Sequence, residues 1–154
     1  MGKGKSFITT TDTDYDLSTI SWISDRLGVT DVNGADSVFG EKDVFVINTA
    51  GEIITPSDFK LAVDPSDGEF AVRDALDTLA DVIHDVLDDT NNQVIVHCYA
   101  GMERSVLTCV WYLCKYQGKT VDEAYKILED ARPVALDRRD WAAITSNLPS
   151  EYSV

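Results

Sequence analysis

The chain contains few of the residues that build disulfide frameworks, metal centres or membrane segments. Its 154 residues include three cysteines and two histidines. An odd number of cysteines without paired spacing suits a reducing compartment and indicates no metal site or other cofactor. No apolar run approaches the ~20 residues of a membrane span, and residues 1–5 lack the apolar stretch of a signal peptide. We therefore expect a soluble, cytoplasmic protein that does not contact a membrane.

Basic residues are also scarce. The chain has 13 lysines and arginines against 27 aspartates and glutamates, which gives a formal net charge of -14 and a sequence pI near 4.3. Because capture of DNA, RNA or anionic lipid depends on basic side chains that neutralise phosphates, this composition disfavours nucleic-acid partners. Aspartate outnumbers glutamate, a bias that fits either a protein of a high-salt cytoplasm or an ordinary acidic protein.

The length leaves room for one hydrophobic core. With 44% hydrophobic residues and no repeat, linker or low-complexity segment, the sequence predicts a single domain over residues 1–154. Residues 1–15 combine a strand-like stretch with a polar, turn-forming one, which predicts an edge strand or a loose arm. Nothing in the sequence indicates an oligomeric state.

The most informative segment runs from His97 to Ser105, where five residues separate Cys98 from Arg104. The preceding residues 93–96 are short, apolar and β-branched, as in a strand, and residues 105–113 have the length and the apolar face of a helix. The sequence thus predicts a strand, a tight loop and a helix in succession, with the cysteine at the start of the loop.

Such a loop suits a phosphate-sized anion, because its main-chain N–H groups converge on one point and the helix N-terminus adds partial positive charge there. The predicted phosphate-binding residues are Tyr99, Ala100, Gly101, Met102, Glu103 and Arg104. The Arg104 guanidinium matches two phosphoryl oxygens at once. Next to these N–H groups and the guanidinium, the pKa of Cys98 is expected to fall from ~8.5 to roughly 3.5–7.5. Its thiolate then attacks phosphorus, giving a phosphocysteine intermediate that water hydrolyses.

Neighbouring side chains have predicted supporting roles. Gly101 lets the backbone turn without a Cβ, and the Ser105 hydroxyl can donate to the sulfur, which makes it a better leaving group in the second step. His97 is expected to brace the loop by hydrogen bonds and to bias Cys98 toward the thiolate. Cys109 and Cys114 fit small core positions on the helix better than ligands or resolving thiols.

At these residues the chain resembles the dual-specificity branch of the protein tyrosine phosphatase superfamily. The family signature His-Cys-x-x-Gly-x-x-Arg-Ser/Thr is met at His97, Cys98, Gly101, Arg104 and Ser105. The resemblance in element order covers residues 20–148 and implies an α/β fold of protein tyrosine phosphatase type, with a central mixed sheet of four to five strands flanked by helices. It also implies cysteine-dependent hydrolysis of phosphotyrosine and phosphoserine or phosphothreonine.

One loop residue departs from the family pattern. At Glu103 a small or uncharged residue is more usual, and a carboxylate beside the anion site is expected to weaken polyanionic ligands and to raise the pKa of the thiol.

The resemblance also implies a general acid on a loop roughly thirty residues before the cysteine, because the leaving oxygen must be protonated. Two aspartates lie there. Asp64 directly follows the strand predicted at residues 59–63, whereas Asp67 is closer to Cys98 in spacing but forms an Asp-Gly turn pair and is a candidate cap for the next helix. We favour Asp64 and keep Asp67 as the alternative.

The remaining elements follow from periodicity and capping signals. Strands are predicted at 20–23 and 43–48, with a connection between them in which residues 32–37 show little helical pattern. Apolar residues at three- and four-residue steps predict a helix over 69–87 with one buried stripe. A capping box at Thr120 and Glu123 starts a helix that runs to Ala131, and Asp137 is a candidate cap for a last helix through residue 144.

The substrate is less well determined than the chemistry. We expect a phosphorylated protein or a small phosphomonoester, since the loop offers Glu103 in place of the basic residues that usually accompany phosphoinositides or RNA 5′-phosphates. The alternatives are a phosphoinositide or RNA 5′-phosphatase and a phosphate-binding module without turnover. Modules of the latter kind typically lack the cysteine or the arginine, and both are present here. Arsenate-reducing and sulfur-transfer proteins are further rivals that use a similar loop.

Overall fold

The computed structural model of the chain describes residues 15–153, and its centre is a five-stranded mixed sheet. The strands are β1 (Ser21–Trp22), β2 (Leu27–Thr30), β3 (Val44–Asn48), β4 (Phe59–Lys60) and β5 (Gln93–His97). Their order across the sheet is β1-β2-β5-β3-β4, with β1 antiparallel to β2 and the other neighbours parallel. The arm predicted at residues 1–15 lies, apart from Tyr15, outside the described residues.

Strand β5 occupies the middle of the sheet and pairs with β2 on one side and β3 on the other. Val94, Ile95 and Val96 are buried, as expected for a parallel strand covered on both faces. At its carboxyl end His97 lies level with Thr30 of β2 and Asn48 of β3. The loop that follows therefore begins at the carboxyl edge of the sheet, where open α/β sheets place their ligands.

In the described part of the chain, four α-helices pack around the sheet: α1 (Val32–Val38), α2 (Glu69–Asp89), α3 (Arg104–Gln117) and α4 (Val121–Ala131). Three 3-10 turns accompany them there, at Pro65–Asp67, Arg139–Ala142 and Ser150–Tyr152. The stripe predicted for α2 is buried against the core, chiefly through Val72, Leu76, Leu79, Ala80 and Ile83. Within residues 15–153, no helix is long and apolar enough to span a bilayer.

Helix α3 is the central helix of the core. Its residues 105–113 are all buried, including Cys109 and Trp111, as a helix at the centre of a fold requires. The helix ends at Gly118, whose φ of +69° places it in the left-handed region that glycine adopts without strain. The predicted capping box then starts α4, since the side chains of Thr120 and Glu123 each accept a hydrogen bond from the other's main-chain N–H.

The connection between the first predicted strands contains two elements that the sequence pattern did not predict. Residues 27–30 form β2, and residues 32–37, which have little helical pattern, lie in α1. Asp31 caps this short helix by accepting a hydrogen bond from Gly34 N–H at 2.7 Å. A Cβ on Gly34 would lie 2.0 Å from Thr30 Oγ1. Because Gly34 has no Cβ, α1 can pack closely against β2. No local periodicity reveals this tertiary contact.

Three further local predictions are wrong. Strand β4 ends at Lys60, so the predicted strand over 59–63 is shorter than expected. Asp67 does not cap α2, because Gly68 occupies the cap position and Asp67 lies in the preceding 3-10 turn. Asp137 does accept a hydrogen bond from Arg139 N–H, but only a 3-10 turn ending at Ala142 follows instead of a helix through residue 144.

Candidate active site

The loop from Cys98 to Glu103 has its carbonyl groups turned outward and satisfied by other parts of the protein. His97 Nδ1 lies 3.0 Å from the Cys98 carbonyl oxygen. The next four carbonyls also have donors: Val32 N for Tyr99, Arg132 Nη2 for Ala100, Arg132 Nε for Gly101 and Leu136 N for Met102, at 2.6–3.1 Å. Because carbonyl and N–H groups of a peptide point in opposite directions, fixing the carbonyls outward directs the N–H groups inward.

Gly101 is required by this loop for two reasons. Its φ is +69°, in the left-handed region. A Cβ at this position would also lie 2.5 Å from the Thr30 carbonyl oxygen and 2.8 Å from Arg132 Nη2. The loop therefore packs directly on β2 and on the Arg132 side chain.

Cys98 is 3% exposed, and its sulfur is surrounded by hydrogen-bond donors. Burial on its own raises the pKa of the thiol, but hydrogen bonds from the Ser105 hydroxyl, at 3.3 Å, and from the main-chain N–H groups of Ser105, Gly101 and Glu103 outweigh it. The pKa of Cys98 is therefore lower than that of an ordinary cysteine. By contrast, burial raises the pKa of Cys114 to about 11, which marks it as inert.

The neighbouring histidine is fully buried. Burial lowers the pKa of His97 even though the bond to the Cys98 carbonyl acts in the opposite direction, and its Nε2 has no hydrogen-bond partner among the described residues. A neutral imidazole can brace the loop through Nδ1 but supplies no charge to a thiolate. The geometry thus supports the bracing role of His97 and not the electrostatic one.

Arg104, the first residue of α3, is paired with a residue that the sequence pattern did not identify. Its Nη1 donates to Oε1 of Glu52 at 2.8 Å, and its Nη2 donates to Oε2 at 2.7 Å. These bonds from Arg104 are the largest of the effects that lower the pKa of Glu52 to about 2. Glu52 is therefore ionised at neutral and mildly acidic pH.

A cleft of about 410 Å³ opens beside this ion pair. It is lined by Gly51, Glu52, Ala62, Val63, Asp64, Pro65, Glu103, Arg104 and Trp141. Cys98 does not line the cleft, because its side chain is enclosed by the loop. Of the two aspartates considered as general acid, only Asp64 lines the cleft.

Asp64 is held in a local turn. Its Oδ1 accepts hydrogen bonds from the Ser66 hydroxyl at 2.7 Å and from the Ser66 N–H at 3.0 Å. These two bonds, the hydroxyl first, lower the pKa of Asp64. In this turn the Asp64 carboxyl therefore loses its proton more readily than a free aspartate does.

The Glu103 side chain is paired with a residue that lies far from it in sequence. Its carboxylate accepts a hydrogen bond from Arg138 Nε at 2.7 Å, so the charge beside the loop has a counter-ion. Its main-chain N–H is one of the groups that lower the pKa of Cys98. The effect predicted for the Glu103 carboxylate, a raised pKa of the thiol, stays a prediction.

Arg132 is a second functional residue that the sequence pattern did not identify. It follows α4, is fully buried, and donates hydrogen bonds to the carbonyls of Ala100, Gly101, Leu17 and Thr19 and to the Ser21 hydroxyl. One guanidinium thus joins the loop to the segment before β1. No local signal marks such a residue, because all its partners are distant in sequence.

A parallel strand, a loop of inward N–H groups around a cysteine and a helix that begins with arginine define the class of cysteine-based phosphate-binding α/β proteins. The profile described as "Dual specificity phosphatase, catalytic domain" matches residues 46–143, well over half of the chain. The chain therefore belongs to the dual-specificity phosphatase family, as the signature at Cys98 predicted.

Curated relatives match over shorter stretches. Mouse dual specificity protein phosphatase 14 is 40% identical over 63 residues, which cover 41% of this chain and 31% of that protein. Human dual specificity protein phosphatase 18 is 32% identical over 91 residues, covering 59% of this chain and 46% of that protein. The chain thus spans less than half the length of these relatives.

Solved structures agree over a larger part of the fold. Human DUSP28 superposes with a TM-score of 0.64 at 18% identity, covering 79% of this chain and 86% of that one. A mouse putative dual specificity phosphatase, solved in complex with zinc tungstate, gives a TM-score of 0.65 at 19% identity and covers 80% and 82%. At these identities the likeness establishes the protein tyrosine phosphatase fold alone, and it confirms the predicted fold class.

Proposed function

We propose that this chain is a cysteine-dependent phosphatase that hydrolyses phosphomonoesters, principally phosphotyrosine and phosphoserine or phosphothreonine on proteins. The observation that carries this proposal is the set of donors around the Cys98 sulfur, with a pKa below that of an ordinary thiol. A buried cysteine of the core shows the reverse, because burial raises the pKa of Cys109. Convergent donors at a helix N-terminus bind anions, which here means both the thiolate and the phosphoryl oxygens.

In the first step the Cys98 thiolate attacks phosphorus in line with the ester oxygen. The sulfur–phosphorus bond forms as the phosphorus–oxygen bond breaks, and Asp64 gives its proton to the leaving oxygen. Loop N–H groups and the Arg104 guanidinium hold the equatorial oxygens, where charge is retained throughout the transfer.

In the second step a water molecule attacks the phosphocysteine, and the Asp64 carboxylate takes the proton that the water loses. Sulfur departs as a thiolate, and the Ser105 hydroxyl at 3.3 Å is placed to stabilise it. Asp64 is proposed as the acid because it lines the cleft beside Arg104, and Asp67 remains the alternative that variants must test.

Hydrolysis of para-nitrophenyl phosphate tests the proposal. We expect turnover by the native chain and none by the Cys98→Ser variant, which should still bind tungstate because the loop N–H groups remain. Turnover by Cys98→Ser would exclude a covalent mechanism. Tungstate binding without turnover by the native chain would instead indicate a phosphate-binding module.

A further inference from the structure

The ion pair between Arg104 and Glu52 changes the electrostatics of the proposed active site. A free guanidinium beside the loop would attract any phosphate, but here both terminal nitrogens bind one carboxylate at 2.7–2.8 Å. The positive charge of Arg104 is thus largely compensated before a substrate arrives. For Arg104 to hold the phosphoryl oxygens as in the proposed mechanism, its guanidinium must first separate from Glu52, so its long-range attraction for the phosphoryl group is weakened.

The rest of the cleft adds negative charge. Of the residues that line it, three are carboxylates, Glu52, Asp64 and Glu103, against the one cation Arg104. Arg138 outside the lining pairs with Glu103 and balances it. The exposed side chains of Asp67 and Glu69 lie three and five residues after Asp64, and Glu69 is paired with Arg73 at 3.7 Å. With Arg138 counted, three carboxylates and two cations surround the cleft, so a phosphate dianion held at the loop beside it has more carboxylates than cations nearby.

One further cation lies close to the pair. The Lys60 ammonium donates to the Ile53 carbonyl oxygen at 2.7 Å and contributes to the lowered pKa of Glu52. It lies outside the cleft lining and is exposed, so its attraction for the phosphoryl group is screened by solvent. Among the residues that line the cleft, Arg104 is thus the one cation, and the lining offers no cluster of basic side chains of the kind that a polyanion needs.

Building on the proposed function, we infer that the site selects phosphorylated protein segments that carry arginine or lysine beside the phosphoresidue. The cation of such a segment meets the carboxylates of the cleft. Glu52, whose side chain is 58% exposed, becomes available to this cation when the phosphoryl group takes its place on the Arg104 guanidinium. A segment with aspartate or glutamate beside the phosphoresidue is repelled by the same carboxylates. Phosphoinositides and RNA 5′-triphosphates, which add negative charge, are excluded on the same ground.

The test compares three phosphotyrosine peptides that differ only in the two residues on each side, which are arginine, alanine or glutamate. At low salt we expect kcat/KM for the arginine peptide to exceed that for the glutamate peptide about tenfold or more, a difference that salt near 1 M removes. Equal rates for the three peptides at low salt, or faster turnover of the glutamate peptide, would overturn the inference.

Variants then assign the preference to the cleft. Glu52→Gln and Glu103→Gln are each expected to reduce the arginine-to-glutamate ratio about two- to fivefold, while Glu129→Gln, which removes an exposed charge on α4, leaves it unchanged. The ratio is the decisive quantity, because a general loss of turnover affects all three peptides equally. An unchanged ratio in both cleft variants would contradict the role of the cleft.

The two proposals fail in different ways. If the native chain hydrolyses neither the peptides nor para-nitrophenyl phosphate, the phosphatase assignment itself is wrong, and the inferred selection falls with it. If it hydrolyses them without regard to flanking charge, or prefers an inositol phosphate, the phosphatase assignment stands and only the inferred selection is refuted.

Discussion

The Ser105 hydroxyl provides a direct test of how the fold activates Cys98. It lies 3.3 Å from the sulfur, in a position that is fully buried. After burial, which acts in the opposite direction, it is the largest influence on the pKa of Cys98. Ser105→Ala removes this one donor and leaves the main-chain N–H groups in place. We therefore expect the variant to fold and to have a higher Cys98 pKa.

The size of the effect follows from the bond that is lost. A hydrogen bond to a charged group is worth about 1.5–3 kcal/mol, and because sulfur is a soft acceptor we take the lower value. Since about 1.36 kcal/mol corresponds to a factor of ten, the thiolate fraction well below the pKa should fall about tenfold. Higher intrinsic nucleophilicity of the remaining thiolate offsets about half of this on a logarithmic scale. Alkylation should thus slow about three- to tenfold.

The assay is the rate of iodoacetamide alkylation as a function of pH. Because the folded-state pKa of Cys98 is lowered, the thiolate is present above that pKa and is lost as the pH falls through it. Ser105→Ala should move this acid limb to higher pH, both for alkylation and for turnover. Thr108→Val is the matched control, since its hydroxyl on the same helix donates to the Arg104 carbonyl at 2.8 Å. If Ser105→Ala is alkylated as fast as the native chain, the account of Cys98 activation is wrong.

Three other outcomes are expected. Asp64→Asn should abolish the fall of kcat/KM on the alkaline side and lower turnover far more than Asp67→Asn, and the reverse ranking in pH profiles would make Asp67 the acid. Ser66→Ala removes the hydroxyl that donates to Asp64, so the pKa of Asp64 should rise and the alkaline limb should move to higher pH; an unmoved limb would contradict this. Arg132→Lys leaves loop carbonyls without donors, so the free energy of unfolding should fall by about 2–3 kcal/mol, and tungstate affinity measured calorimetrically should fall with it. If the folded Arg132→Lys protein binds tungstate as tightly as the native chain does, Arg132 does not position the loop.

Local patterns predict a large part of this molecule correctly. The strand β5, the loop, the start of α3, the long amphipathic α2 and the capping box of α4 are all encoded within a few residues of where they form. Periodicity and capping depend on neighbours three or four positions apart, which a single sequence displays directly. For the same reason the phosphate-binding loop is recognisable from the residues around Cys98 alone.

Elements defined by distant packing escape such patterns. Helix α1 has only seven residues and depends on Gly34 fitting closely against Thr30. The first strands are short, and β2 is stabilised by pairing with β5, more than sixty residues further along the chain. Isolated segments of this length have too little intrinsic preference to be assigned, since tertiary contacts supply most of their stability.

The amino-acid sequence by itself determined the residues on which the proposed chemistry rests: a cysteine, five intervening residues and an arginine between a strand and a helix. Only the tertiary structure decided how that chemistry is controlled. Glu52 pairs with Arg104 across 52 residues, and Arg132 holds the loop carbonyls across about thirty. The physical reason is that the charge around a site is the sum over all groups the fold brings near it, and that sum depends on distances in space that sequence separation does not encode.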